Sequence, residues 1–141
     1  MIEVSQRIEA PAKAVWAALE RIEDHALWMK DAVAIRFVGE QRRGVGTRID
    51  VDTRVGPLRT VDRMEFVSWE PLAAMGVVHK GLIAGTGEFT IDDHGDATTV
   101  TWREDLEFPW YFAGPLGAAI ATPVLRRMWS SNLRRLADLV A

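Results

Sequence analysis

The sequence predicts an α+β fold in which a curved antiparallel sheet wraps around a long C-terminal helix, with two short helices after the first strand. Three observations carry this expectation. The segment Ile8-Glu9-Ala10-Pro11-Ala12-Lys13-Ala14-Val15-Trp16 turns a strand into a proline-started helix. From Val33 to Phe108 apolar residues recur at intervals of two, punctuated by glycine and proline. From Leu125 to Val140 they recur at helical spacing instead.

Each element has its own signal. Ile2, Val4 and Ile8 alternate with Glu3, Ser5, Arg7 and Glu9, as in a half-buried strand. Pro11 suits the start of a helix, where its missing N–H is not needed. That helix runs to about Leu19 and buries Val15, Trp16 and Leu19; a second short one around Asp24 to Met29 carries His25, Leu27 and Trp28. Val33, Ile35 and Phe37 form one face of the next strand, and Gly39 to Gly46 a turn. Thr47, Ile49, Val51 and Thr53 alternate with charged residues. Val55-Gly56-Pro57-Leu58 turns the chain into a strand that ends at Glu70-Pro71. Ala73 to Lys80 and Ile83 to Ile91 follow, then Asp92-Asp93-His94-Gly95-Asp96 as a hairpin turn, since Gly and Asp tolerate positive φ. Thr98 to Phe108 is the last strand. Leu125, Met128, Trp129, Asn132, Leu133, Leu136 and Val140 make the inner face of the final helix. Pro123 either starts this helix or interrupts a longer one that begins near Pro115.

A chain of 141 residues is expected to fold as one domain, 1–141, and is long enough to bury a real core. Hydrophobic residues make up 48% and charged ones 26%, a balance that argues against disorder. With a net charge of -3 and no basic stripe, no nucleic-acid partner is expected. The absence of cysteine excludes disulfides and thiolate chemistry. The N-terminus lacks a signal-peptide layout, so a cytoplasmic location is expected. The longest apolar stretch, Phe108 to Leu125, is broken by Pro109, Gly114, Pro115, Gly117 and Pro123, so no integral membrane segment is expected.

The order of elements, with Ala10-Pro11 before Val15-Trp16, resembles the START-like, Bet v 1-like (SRPBCC) superfamily of helix-grip proteins. Further matching features are Trp28, Gly44-Val45-Gly46-Thr47, Glu70-Pro71, Asp96-Ala97-Thr98-Thr99-Val100-Thr101-Trp102 and Leu133 to Leu136. Within it the chain is most similar to bacterial polyketide cyclase/dehydrase and lipid-transport-like proteins. The resemblance implies an apolar cavity between sheet and final helix. It does not choose an activity, because binders, transfer proteins, cyclases and chaperone activators share this scaffold.

Strand parity nominates the interior polar groups. On the last strand Val100, Trp102, Glu104 and Leu106 share one face, so Glu104 points to the concave side. A carboxylate there loses hydration and is a candidate general acid or base. Its structural alternative is an ion pair. His79 shares a face with Met75 and Val77 and is the second catalytic candidate, or else a satisfied structural residue. Asp62 shares parity with Met64 and Phe66; it is expected near a strand end, with Arg54 or Arg103 within its reach only if a bulge turns them. His25 and His94 lie in turns without metal-ligand spacing, so neither a metal site nor a cofactor is expected. Gly44-Val45-Gly46 lacks the third glycine of a dinucleotide fingerprint, and no serine sits in a nucleophile elbow. The arginines Arg126, Arg127, Arg134 and Arg135 read as a solvated helix face.

Trp28, Met64, Met75, Trp102, Tyr111, Met128, Trp129 and Asn132 are the expected ligand-binding residues. Trp110 and Phe112 are expected to seat the helix, and the hydroxyl of Tyr111 to reach the cavity. The function expected is binding of a hydrophobic or aromatic small molecule, with cyclase- or dehydratase-type chemistry as its enzymatic form. A lipid or quinone-like carrier is one alternative, and in that case Glu104 would be salt-bridged or turned outward. A protein-interaction module, with a collapsed cavity and an exposed apolar patch, is the other. The expected partner is a hydrophobic small-molecule ligand, and a homodimer remains an allowed assembly.

Overall fold

The computed structural model describes residues 1–108 and 114–141. Seven antiparallel strands form one sheet: β1 (Ile2–Ile8), β2 (Ala32–Val38), β3 (Arg48–Val55), β4 (Leu58–Glu70), β5 (Ala74–Lys80), β6 (Ala84–Asp93) and β7 (Thr98–Glu107). Their spatial order is β1-β7-β6-β5-β4-β3-β2, so β1 and β2 are the edges. Between these two lie helix α1 (Ala12–Glu20) and a short 3-10 helix (Ile22–Leu27). The second short helix therefore starts two residues earlier than the sequence suggests and is of the tighter kind.

Pro11 is extended, with φ -68 and ψ 156, and its carbonyl accepts from the amides of Ala14 and Val15 at 2.9 and 3.2 Å. It is thus the N-cap residue of α1. At the β6–β7 hairpin Gly95 takes φ +85, and its amide is held by Asp93 Oδ1 at 2.8 Å. A side chain there would strain the turn. On β2 the expected Val33 face is not formed. Ala32 pairs with Thr53 and Ala34 with Asp52, so Val33 is the extra residue of a bulge and points to solvent. Ile35 and Phe37 pack against the core as expected.

Helix α2 (Gly114–Val140) is the longer of the two forms that the sequence allows, with Pro123 inside it. Its inner face buries Leu125, Trp129, Asn132, Leu133 and Leu136, while Met128 and Val140 are partly buried. Leu133 and Leu136 have no exposed surface. Leu136→Ala should cost about 2–5 kcal/mol, because the removed atoms leave a hole in a core that relaxes only partly. A denaturant midpoint that does not move would take this helix out of the core.

Arg126, Arg127 and Arg134 are solvated as expected, but Arg135 is not. Its Nε donates to the Trp28 carbonyl at 3.1 Å, its Nη1 to Ser131 Oγ at 3.0 Å, and its Nη2 to Asn132 Oδ1. A guanidinium close to a chain turn with free carbonyls docks on them. Here it ties α2 to the segment after the 3-10 helix.

Candidate functional site

A cavity of about 500 Å³ opens between the concave face of the sheet and α2. Its walls are mostly apolar, and alternate residues of β3, β4, β5 and β7 supply them. Ile49 and Val51 come from β3, Met64 and Phe66 from β4, and Met75 and Val77 from β5. The parity rule of a pleated sheet places these side chains on one side. From α2, Ala121, Leu125 and Trp129 close the cavity.

Three titratable groups meet in this wall. His79 sits on β5 with its ring nearly buried. Its Nδ1–H donates to Asp62 Oδ2 and Oδ1 at 3.0 and 3.1 Å, and its Nε2–H to Glu104 Oε2 at 2.7 Å. The indole Nε1–H of Trp102 donates to Glu104 Oε1 at 2.9 Å. Register brings these residues together. Met64 pairs with His79 across β4–β5, and Gly87 faces Glu104 across β6–β7. Gly87 leaves the space that the carboxylate fills: a Cβ built there would lie 2.5 Å from Glu104 Oε1 and 2.6 Å from Oε2.

Burial opposes charge on His79, but hydrogen bonds and charge from Asp62 and Glu104 outweigh it and push its pKa up to about 10. At neutral pH the ring is an imidazolium between two carboxylates. His25 behaves in the opposite way. Burial drives its pKa down to about 4, and its Nε2–H donates to the Leu19 carbonyl at 2.7 Å. It is neutral and packs on Trp28 at a centroid distance of 5.1 Å.

Glu104 and His79, the two catalytic candidates, are inward and bonded to each other. Asp62 departs from expectation. It lies inside the thirteen-residue β4, not near its end, and its partner is His79. Neither arginine reaches it: Arg103 faces outward to Glu3 at 2.5 Å and Glu88 at 3.7 Å, and Arg54 is exposed. No bulge turns them, because β3 and β7 keep regular pairing at these positions.

Of the expected ligand-binding residues, Met64, Met75, Trp102 and Trp129 line the cavity. Trp28 does not: it is fully buried, edge-on to Phe89 at 5.8 Å and to Trp102 at 6.2 Å, and so packs beside two wall residues rather than forming the wall. Met128 packs on the core, one helical position away from Trp129. Asn132 is spent on structure, accepting from the Lys30 amide at 3.1 Å and donating to Asp31 Oδ1 at 2.7 Å. Tyr111, Trp110 and Phe112 lie outside the described residues.

Asp31 is a wall residue that sequence reasoning missed. It stands between the 3-10 helix and β2, where no alternation marks a facing side. Its Oδ2 accepts from Trp129 Nε1 at 3.2 Å. Trp129 in turn stacks on Trp102 with centroids 5.1 Å apart and planes at 23°. The two stacked indoles thus each give their N–H to a different carboxylate, Asp31 and Glu104.

Solved structures share this architecture. A Thermus thermophilus protein superposes with a TM-score of 0.79 at 16% identity, covering 99% of this chain and 95% of that one. The Zhui aromatase/cyclase of a Streptomyces species gives 0.74 at 15% identity, covering 99% and 92%. The major latex-like protein of Panax ginseng gives 0.75 at 11%, covering 99% and 95%. At these identities the likeness concerns the fold. No curated protein sequence matches the chain. The model of one family matches residues 1–141, and the chain accordingly belongs to the polyketide cyclase / dehydrase and lipid transport family.

Proposed function

We propose that this protein binds a hydrophobic or aromatic small molecule in the cavity between sheet and α2. One observation carries this reading: about 500 Å³ of space stays open inside walls of methionine, aliphatic and stacked aromatic side chains. That size falls in the range of about 300–1,000 Å³ typical of small-molecule sites. Native mass spectrometry of the purified protein, followed by extraction, tests it. A bound apolar molecule is the expected result; protein that carries nothing and takes up no aromatic probe would overturn the reading. An open cavity also runs against the interaction-module alternative, which needs a collapsed one.

A second reading, cyclase- or dehydratase-type chemistry, is favoured by the placing of Glu104 in that same wall. A carboxylate has about four lone-pair sites, and Trp102 and His79 use two of those on Glu104. Glu104 retains capacity to take a proton from a bound molecule, with the adjacent imidazolium offsetting the charge. The ion pair with His79 equally suits a non-enzymatic carrier, in which the cluster serves to hold the sheet. Glu104→Gln separates the two: an enzyme loses turnover by far more than any change in its ligand affinity, and a carrier has no turnover to lose.

A further inference from the structure

The polar groups of the cavity are almost all hydrogen-bond acceptors. Among the described residues no Lys, Arg, Ser, Asn or Gln lines it. The side-chain N–H donors that do are already committed: His79 to Asp62 and Glu104, Trp102 to Glu104, Trp129 to Asp31, and His25 Nε2 to the Leu19 carbonyl. Thr53 Oγ1 donates to the Val51 carbonyl at 3.3 Å. That leaves the Thr60 hydroxyl as a side-chain donor to spare.

Acceptors are in surplus. Among the described residues Asp31 has only neutral donors, the Trp129 indole and the Asn132 amide, and no lysine or arginine pairs with it. With its Nε2–H committed, neutral His25 offers Nδ1 as an acceptor. The charges add in the same direction. Three carboxylates, Asp31, Asp62 and Glu104, stand in the wall against the single charge of the His79 imidazolium, while Glu88 turns its side chain outward to Arg103. A ligand carbonyl finds few donors here, and a ligand carboxylate or phosphate meets net negative charge in a poorly solvated space.

We infer that the cavity selects aromatic molecules that donate hydrogen bonds, phenols above all, and rejects the same ring systems when they carry an anionic group. The stacked Trp102–Trp129 pair forms the aromatic part of the wall, and the carboxylates of Glu104 and Asp31 accept from its two indole N–H groups. Fatty-acid-like and acyl-phosphate-like cargo is thereby disfavoured on charge alone. This rests on the cavity being the binding site.

Calorimetric titration of the purified protein with naphthalene, naphthol and naphthoate at neutral pH tests it. The three probes share one ring system and differ in a donor and a charge. Naphthol should bind about tenfold or more tightly than naphthoate, a difference of about 1.4 kcal/mol for each factor of ten. Naphthalene should fall between them. Asp31→Asn keeps the shape and one oxygen for the Trp129 indole, gives up the bond from Asn132 and removes a charge, and it should narrow the naphthol-to-naphthoate ratio several-fold. If naphthoate binds as tightly as naphthol, the donor selectivity is wrong while binding in the cavity stands. If none of the three binds, both readings are overturned.

Discussion

Glu104→Gln should lower the unfolding free energy by about 3 kcal/mol at neutral pH, the low end of the cost of breaking a buried ion pair, since Asp62 still faces the imidazolium. The change should also reshape the dependence of stability on pH. His79 has a folded pKa of about 10 against an ordinary value of 6.5. Between these values the folded state holds a proton that the unfolded chain releases. The stabilisation from His79 is therefore complete below pH 6.5 and is lost as pH rises through 10. His25 works in the other direction. Its folded pKa of about 4 lies below 6.5, so its contribution is present above 6.5 and is lost as pH falls through 4. The wild-type urea midpoint should peak near pH 6.5 and decline on both sides. In the Gln variant the alkaline decline should still begin near pH 6.5, which the unfolded chain sets, but should be smaller and end at lower pH, because one charged partner of His79 is gone. The acid limb should keep its shape, since the Leu19 carbonyl and the burial of His25 are untouched. Superimposable alkaline limbs in the two proteins would mean that the His79–Glu104 contact does not persist in solution.

Much of this cluster was legible from the sequence, and the limit of legibility has a physical origin. Parity along β7 is a local property, so Val100, Trp102 and Leu106 sufficed to turn Glu104 inward. Parity on β5 grouped His79 with Met75 and Val77 but did not fix which face of that strand turns inward. What connects them is register, which depends on how β4, β5, β6 and β7 slide against one another. No single strand records that. Asp62 shows the consequence: its shared face with Met64 and Phe66 was readable, but not that this face turns inward, and its histidine partner comes from a different strand, seventeen residues away. Gly87 carried a faint signal, as a glycine inside a strand often marks a close approach. Here the approaching group is the Glu104 carboxylate. Asp31 gave no signal, because it sits in a connection without a period. Val33 was misassigned for a related reason, since a bulge shifts parity by one residue and leaves the composition of the strand unchanged. The helical face of α2 was read correctly, but periodicity cannot tell the residues that line a cavity from those that seal its edge. Asn132 and Met128 fall in the second group.

Trp102→Ala should be the most damaging single change, at about 3–5 kcal/mol, and Trp102→Phe should cost about 1.5–3 kcal/mol. The two numbers separate two roles of one side chain. As a ring, Trp102 touches Phe89 at 5.0 Å, Trp129 at 5.1 Å and Trp28 at 6.2 Å, so it joins the inner core to the cavity wall. As a donor, it holds Glu104 Oε1 at 2.9 Å. Alanine removes both roles and enlarges the cavity on the side of the stacked wall. Phenylalanine keeps most of the packing and leaves a nearly buried carboxylate short of one hydrogen bond. Urea denaturation of the two variants beside wild type measures the difference. A phenylalanine variant as stable as wild type would mean that the indole N–H contributes nothing and that His79 alone fixes Glu104. A phenylalanine variant as weak as alanine would place the whole effect in that one hydrogen bond. The intermediate value is expected because the aromatic contacts and the N–H act on different neighbours: the ring is bound into the core of the sheet, and its polar edge sets where the carboxylate stands in the cavity.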